Sequence, residues 1–410
     1  MRKPDLSTRI AVTGAGIICS IGRNKAEVWS SIVESRAGIR KMTAFPGETF
    51  PTDLAAEALA DLAGELPIGK REAKRLSRTD LLAVIAAKEA LEQANGAPIA
   101  RAIVSTGTST GGLLEGEQYY FGRLVRGRRR EPASRVLQQP TSAPSDAVAR
   151  VFNLGGGVIS NATACASAGA AIGMAADFLR SRHADVALAG GSDALCRLTY
   201  SGFNVLQAVD PEPCSPFGAT RKGITLGEGS GYLVLERWDD AVTRGATILA
   251  ELCGYGASCD AHHPTAPIED GRGAEAAMRG ALAEARLGAL GEAGLATVDY
   301  VNAHGTGTLL NDSAETKAII SAVGAGVPVS SSKSYFGHTL GASGAIEAVV
   351  TVLALQHQIA PPTLRLGTAA DDCSLDYIPH TPRPMAMANV LSNTFGFGGS
   401  NVSLAFRRVL

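Results

Sequence analysis

The 410-residue chain carries almost no net charge: Lys and Arg number 38, Asp and Glu 39. That balance excludes a global electrostatic drive toward nucleic acid or a membrane surface. It has no CxxC pair and no His-rich cluster. Its seven cysteines stand singly at 19, 165, 196, 214, 253, 259 and 373, which argues against a zinc site. Odd-numbered, scattered thiols fit a reducing compartment, and the cytoplasm is the expected location. The opening "MRKPDLSTRIAVTG" has no apolar signal core and no apolar run reads as membrane-spanning, so neither a leader nor a membrane segment is expected.

What the chain has is glycine, 47 of them, within an ordinary 45% hydrophobic composition. Many backbone positions must therefore need positive φ or close approach. The length predicts two domains or one fused pseudo-symmetric unit. "RIAVTGAGIICSIG" reads as a buried strand, Asn24 as a helix cap, and residues 77–94 as an amphipathic helix. "RAIVSTGTSTGG" is a strand running into a loop. "VISNATACASAGAAIGMAADFLRSR" is a turn and a long helix, followed by the strand "ADVALAGGSDAL". "GSGYLVLERW" closes a first half near residue 250. The second half repeats the alternation, with a helix over 273–287, the strand "VDYVNAHGTGT", and two strands around the Gly-rich turn of "NTFGFGGSN". Such alternation predicts parallel or mixed sheets with helical layers. "ATACASAGAAIGMA" and "GHTLGASGAIEAVV" read as equivalent segments of a duplication.

Three residues stand out for chemistry. Cys165 falls where a strand turns into a helix. A buried structural thiol is the simple account, but a helix N-terminus stabilises a thiolate and its amides suit a developing oxyanion. His304 ends an apolar strand beside glycine, and His338 precedes a helix with Lys333 five residues earlier. Strand ends are where sites form in such sheets. Phe395 and Phe397 sit inside a glycine-dense turn, which a plain hairpin does not explain.

"TACASA", "LGEGSGYLVLE", "NAHGTGTLLND", "SKSYFGHTLGASGAIEA" and "NTFGFGGSN" occur in an order that resembles the thiolase-superfamily condensing enzymes. The resemblance is specifically to the elongating β-ketoacyl-acyl carrier protein synthases of types I and II, over essentially the whole length. The resemblance implies an α/β thiolase-like fold, with duplicated βαβαβαββ halves in five αβαβα layers. Residues 1–250 would hold the nucleophile and 251–410 the two histidines. It implies that Cys165 accepts an acyl chain and that His304 and His338 stabilise the enolate formed when a malonyl group loses its carboxylate. The backbone amides of Cys165 and Phe397 would form an oxyanion hole, with Phe397 as a gate.

Lys333 would orient the site through Asp312 or Glu315. Glu315, Glu347, Asn302 and Asn393 match positions around a buried monovalent cation or structural network in relatives. Thr306 and Thr308 match hydroxyls on a phosphopantetheine arm, with His263 and Thr265 in a neighbouring loop. Phe203 and Phe395 fall on the substrate path. Thr110 would line the far end of the acyl pocket, across a dimer interface, as a polar spot. No cofactor or metal is implied beyond that cation, since substrates arrive on an acyl carrier protein. The expected assembly is a homodimer, or a heterodimer with a chain-length-factor-like subunit.

Ser215 and Gly218 stand where relatives often carry Arg and Asp, and Gln207 where a basic carrier-docking residue is common. These departures imply a specialised pathway, a polyketide or polyene one rather than housekeeping fatty acid synthesis. Two basic islands, "KREAKRLSR" with Lys74, Arg75 and Arg78, and "RLVRGRRR" with Arg128, Arg129 and Arg130, are expected to dock the acidic carrier. They lack the interleaved aromatics of a nucleic-acid platform. Three other classes fit less well. A chain-length factor lacks the cysteine, a thiolase has a second cysteine near its C-terminus, and an initiating synthase has Asn where His338 stands.

Overall fold

A computed structural model describes residues 5–45, 50–58, 62, 64, 66–288 and 296–409. The chain runs β1 (Ile10–Cys19), α1 (Arg78–Gln93), β2 (Ile103–Gly107), α2 (Ala143–Val151), β3 (Val158–Asn161), α3 (Ser167–Arg180), β4 (Val186–Asp193) and β5 (Gly229–Arg237). It then repeats itself: β6 (Ala250–Cys259), α4 (Arg272–Ala285), β7 (Tyr300–Asn302), α5 (Leu309–Ala322), β8 (Val329–Ser330), α6 (Ser343–His357), β9 (Asn389–Gly396) and β10 (Ser400–Arg407). Further short helices and strands decorate the connections.

The strand order is β3-β2-β4-β5-β1 in the first half and β8-β7-β9-β10-β6 in the second, so each strand matches the one five later. The directions match too. β2 is parallel to β3 and β4, while β4 and β1 are antiparallel to β5. β7 is parallel to β8 and β9, while β9 and β6 are antiparallel to β10. The halves join through a short antiparallel seam, in which Ile10, Ala11 and Val12 face Leu252, Glu251 and Ala250.

The central strands are buried at every position, and successive side chains alternate between two cores, which sorts the layers. In β5, Leu233 and Leu235 join the central core, whereas Tyr232 and Val234 join an outer core beneath α1 and α2. A corresponding outer core lies beneath α4 and α5. Helices α3 and α6 lie between the two five-stranded layers, touching each other and strands of both halves. The result is five layers, α-β-α-β-α.

Glycine explains how the outer helices sit so close. A Cβ at Gly14 or Gly16 of β1 would lie 2.1 Å from Ala90 O or 2.0 Å from Ala86 O of α1. At Gly254 and Gly256 of β6 it would lie 2.2 Å from Ala281 O and 2.0 Å from Ala277 O of α4. The same Gly-x-Gly device, against an equivalent pair of alanines four residues apart on a helix, serves both halves.

One expectation changes. The sequence predicts no membrane-spanning run, yet Leu340–His357 is a continuous helical stretch of 18 residues, apolar and long enough to cross a membrane. It is apolar because nearly all of it is buried between the sheets. Ser343, Glu347 and Thr351 interrupt the apolar run in the sequence, and all three are buried.

Candidate active site

Cys165 sits on a tight turn entering α3. Ala164 before it has φ 48°, in the left-handed region that non-glycine residues enter at a cost of about 1–3 kcal/mol. A 3-10 turn, Ala164–Ala166, then leads into the helix. The second half repeats the turn: Leu340 has φ 53°, and Leu340–Ala342 leads into α6. Gly341 occupies the place equivalent to Cys165. Its N–H donates to Asp193 Oδ2 at 2.7 Å, and a Cβ there would lie 2.5 Å from Ser109 N. One copy of the turn therefore presents a thiol, and the other is closed by packing.

The β9–β10 hairpin presses on the cysteine turn. A Cβ at Gly396 would lie 3.1 Å from the amide nitrogens of Cys165 and Ala166. The backbone N–H groups of Phe397 and of Cys165 itself are directed at the thiol. Burial pushes that thiol up to about 12, against the opposing pull of the Lys333 charge. The thiolate expected from the helix N-terminus is thus not the resting form, because desolvation outweighs the amides.

Both histidines are held neutral with one nitrogen committed. His338 Nδ1 accepts from Leu340 N–H at 3.0 Å and lies 3.2 Å from Ser343 Oγ. His304 Nδ1 lies 3.2 Å from the Lys333 ammonium. A nitrogen that accepts cannot carry the proton, so each ring keeps it on Nε2. The rings meet edge-on, with centroids 5.3 Å apart. Burial, then the Lys333 charge, lowers both well below the usual histidine value, and His338 lowers His304 further.

Lys333 is fully buried and ion-paired with Glu347, not with Asp312 or Glu315. Those two carboxylates are taken up by the 304–308 loop, whose successive N–H groups need acceptors. Glu315 accepts from the amides of His304 at 2.8 Å and Gly305 at 2.7 Å. Asp312 accepts from Thr306 N at 3.1 Å, Gly307 N at 3.2 Å and Phe217 N at 2.7 Å. Burial pushes Glu315 and Glu347 each up to about 7. Asn393 Nδ2 reaches Glu315 at 3.3 Å, while Asn302 Oδ1 and Glu347 Oε2 are buried without a donor.

A cavity of about 310 Å³ gathers Cys165, His304 and His338 with Thr306, Thr308, Thr265, Phe203, Phe395 and Phe397. Phe203 and Phe397 touch, with ring centroids 5.5 Å apart. Two expected lining residues stay outside. His263 is exposed and spends Nδ1 on the amides of Thr265 and Ala266, at 3.2 and 3.1 Å. Thr110 donates its hydroxyl to Asp193 at 2.6 Å and is absent from the lining of this chain's cavity, the place expected for it lying across a dimer interface. Asp193 was not foreseen. It is buried and also accepts from Thr108 Oγ1, from the amides of Ser109 and Thr110, and from Gly341 of the other half.

The basic islands divide. Lys74, Arg75, Arg129 and Arg130 are exposed, and Arg128 is exposed but paired with Glu131 at 3.2 Å. Arg78 is no surface cation. Its guanidinium turns inward onto the buried carboxylate of Glu228, with Nε 2.8 Å from Oε2.

An activatable thiol beside two neutral imidazole donors, on the facing turns of a duplicated α/β fold, defines an acyl-transferring condensing enzyme. Comparison with known proteins agrees. Residues 7–241 match the β-ketoacyl synthase N-terminal domain and residues 249–367 the β-ketoacyl synthase C-terminal domain. The chain belongs to the β-ketoacyl synthase family. It is 38% identical over 414 residues to nodulation protein E of Rhizobium meliloti (strain 1021), covering 98% of this chain and 100% of that one. It is 38% identical over 416 residues to 3-oxoacyl-[acyl-carrier-protein] synthase 2 of Synechocystis, covering 98% of both. Among solved structures, the ishigamide ketosynthase/chain length factor superimposes with a TM-score of 0.92 at 31% identity, covering 100% of both chains. A type II polyketide ketosynthase solved with its acyl-carrier protein gives 0.86 at 28% identity, covering 98% of this chain and 100% of that one.

Proposed function

We propose that this chain is a decarboxylating 3-oxoacyl-[acyl-carrier-protein] synthase that extends a Cys165-bound acyl chain with a malonyl unit. One observation carries the reading: Cys165, His304 and His338 share one cavity, and each imidazole has Nδ1 occupied and Nε2–H free to donate.

Cys165 Sγ attacks the thioester carbonyl of an acyl group delivered on phosphopantetheine. The amides of Cys165 and Phe397 hold the oxygen as charge gathers on it. The arm's sulfur leaves and takes up the proton the thiol gives up. A malonyl thioester then enters. The two Nε2–H groups bond its thioester oxygen, so the electron pair released with CO2 rests as an enolate. The enolate carbon attacks the acyl-cysteine carbonyl, the 3-oxoacyl product stays on the second arm, and Cys165 is expelled and takes a proton from solvent. Phe397, packed on Phe203, lines this path, and Thr306 and Thr308 would bond the arm.

A buried monovalent cation fits the oxygens of Asn302, Glu315, Glu347 and Asn393, two of which lack any donor. The partner we infer is an acyl carrier protein, supported by the carrier complex of the polyketide relative. A second chain of the same fold is supported by the ketosynthase/chain length factor pair and by the exposed edge of β3, where Val158 and Ser160 face solvent. Seven free thiols support the cytoplasm as its location. Intact-protein mass spectrometry of Cys165 with a panel of acyl-carrier donors, followed by CO2 release from malonyl-carrier protein, tests the reading. Acylation on any other residue, or none with any donor, overturns it.

A further inference from the structure

Gln207 leaves the cavity mouth without the basic side chain expected there, yet the mouth is not without a cation. Lys222 lines the same cavity and is the only Lys or Arg in its lining among the described residues. Its ammonium forms no ion pair or hydrogen bond among the described residues, and its backbone N–H is fixed on Asp210 Oδ2 at 3.0 Å. The turn that carries it is stiff. Ile224 N donates to Ala208 O at 2.8 Å and Asp210 N to Ile224 O at 2.9 Å, which locks residues 208–210 against 222–224. Gln207 and Lys222 therefore flank one small ladder, with the positive charge on the 222 side.

That turn rests on the loop of the two threonines. Gly307 has φ 85°, and a Cβ there would lie 2.6 Å from Gly223 O. Thr306 Oγ1 and Thr308 Oγ1 are 2.9 Å apart on either side of that contact. The lone carboxylate of the lining, Asp260, is already spent on Asn401 Nδ2 at 2.7 Å and Ile268 N at 3.1 Å. An anion at the mouth thus meets one unmatched cation beside two hydroxyls.

We propose that Lys222 receives the phosphate of the phosphopantetheine arm and so sets how acyl donors are seated. This rests on the condensing-enzyme reading above. An arm whose sulfur reaches Cys165 at the cavity base must carry its phosphate at the other end, at the mouth. There a flexible ammonium is a sufficient point charge for one phosphodiester.

The test measures Cys165 acylation rates below saturation with three donors: acyl-pantetheine, acyl-phosphopantetheine and acyl-carrier protein. Lys222→Gln should slow the two phosphate-bearing donors about three- to tenfold, as suits a solvent-exposed pair, and leave acyl-pantetheine unchanged. Lys222→Arg should restore most of the rate, and the difference should shrink in high salt. Equal slowing of all three donors, or of none, overturns the assignment. Slowing confined to the carrier-borne donor also overturns it, and gives Lys222 to an acidic side chain of the carrier. Acylation of the unmodified protein at equal rates with and without phosphate sinks this inference alone. Absence of acylation from all three donors sinks the condensing-enzyme reading and this one with it.

Discussion

Lys333 Nζ lies 3.2 Å from His304 Nδ1 while ion-paired with the buried carboxylate of Glu347. One side chain thus fixes the tautomer of a second and neutralises a third. Replacing Lys333 with Met frees His304 to place its proton on either nitrogen. Decarboxylation, read as CO2 release from malonyl-carrier protein, should fall about a hundredfold, with Cys165 acylation far less affected. Glu347→Leu strands a buried ammonium and should cost about 3–5 kcal/mol. The Lys333→Met/Glu347→Leu pair should recover most of that stability in thermal melts without recovering decarboxylation. Equal melting of the single and double variants would dismiss the coupling.

Cys165→Ala removes the nucleophile but neither imidazole. It should accept no acyl group by intact mass, yet still release CO2 from malonyl-carrier protein. His338→Ala should do the reverse, taking up an acyl group but condensing about a hundredfold more slowly. Condensation by His338→Ala within about threefold of the parent, under 1 kcal/mol, would remove that role.

Acidity should act on the two half-reactions differently. Burial raises the Cys165 thiol to about 12. The thiolate fraction, and with it alkylation by iodoacetamide, should climb about tenfold per pH unit from pH 6 to 9 without a plateau. The histidines are shifted the other way, well below the ordinary value, so they stay neutral donors across that range. The imidazoles should therefore add no step to CO2 release by Cys165→Ala between pH 6 and 8; any inflection there should sit near 7, where the buried carboxyls of Glu315 and Glu347 titrate. A plateau in alkylation near pH 7, or an inflection in CO2 release that survives in Glu315→Gln/Glu347→Gln, would contradict these shifts.

Thr110 should matter through Asp193. Thr110→Val removes one hydroxyl donor from a buried carboxylate that also receives the Gly341 amide of the opposite turn. A loss of about 1–3 kcal/mol is expected, visible as a lower melting temperature. An unchanged melt with a shifted preference for acyl chain length would return Thr110 to the pocket wall.

Much of this was legible because it is local. The alternating strands and helices, the Asn24 cap that accepts from Glu27 N, and the α1 boundaries all follow from short-range patterns. So do the matching turns before α3 and α6, whose small residues are needed where two helices and two strands crowd together. The pairings across sequence were not legible. Lys333 finds Glu347 on the next helix rather than Asp312 or Glu315, because the loop amides claim those carboxylates first. Arg78 looked like surface charge within a basic run, and only its partner Glu228, 150 residues away, turns it inward. Asp193 ends a strand, and nothing nearby in sequence reveals that both halves donate to it.

The short seam between β1 and β6 is not what keeps the two halves together; the interleaved helices are. Cut near residue 245, the C-terminal piece would offer water the face of Leu340–His357 that now rests on α3 and β5, a surface apolar enough to be mistaken for a membrane segment. Each half is thus the other's solvent shield. Separate expression of residues 246–410 should yield aggregates, and co-expression with the first half should be needed to keep it in solution.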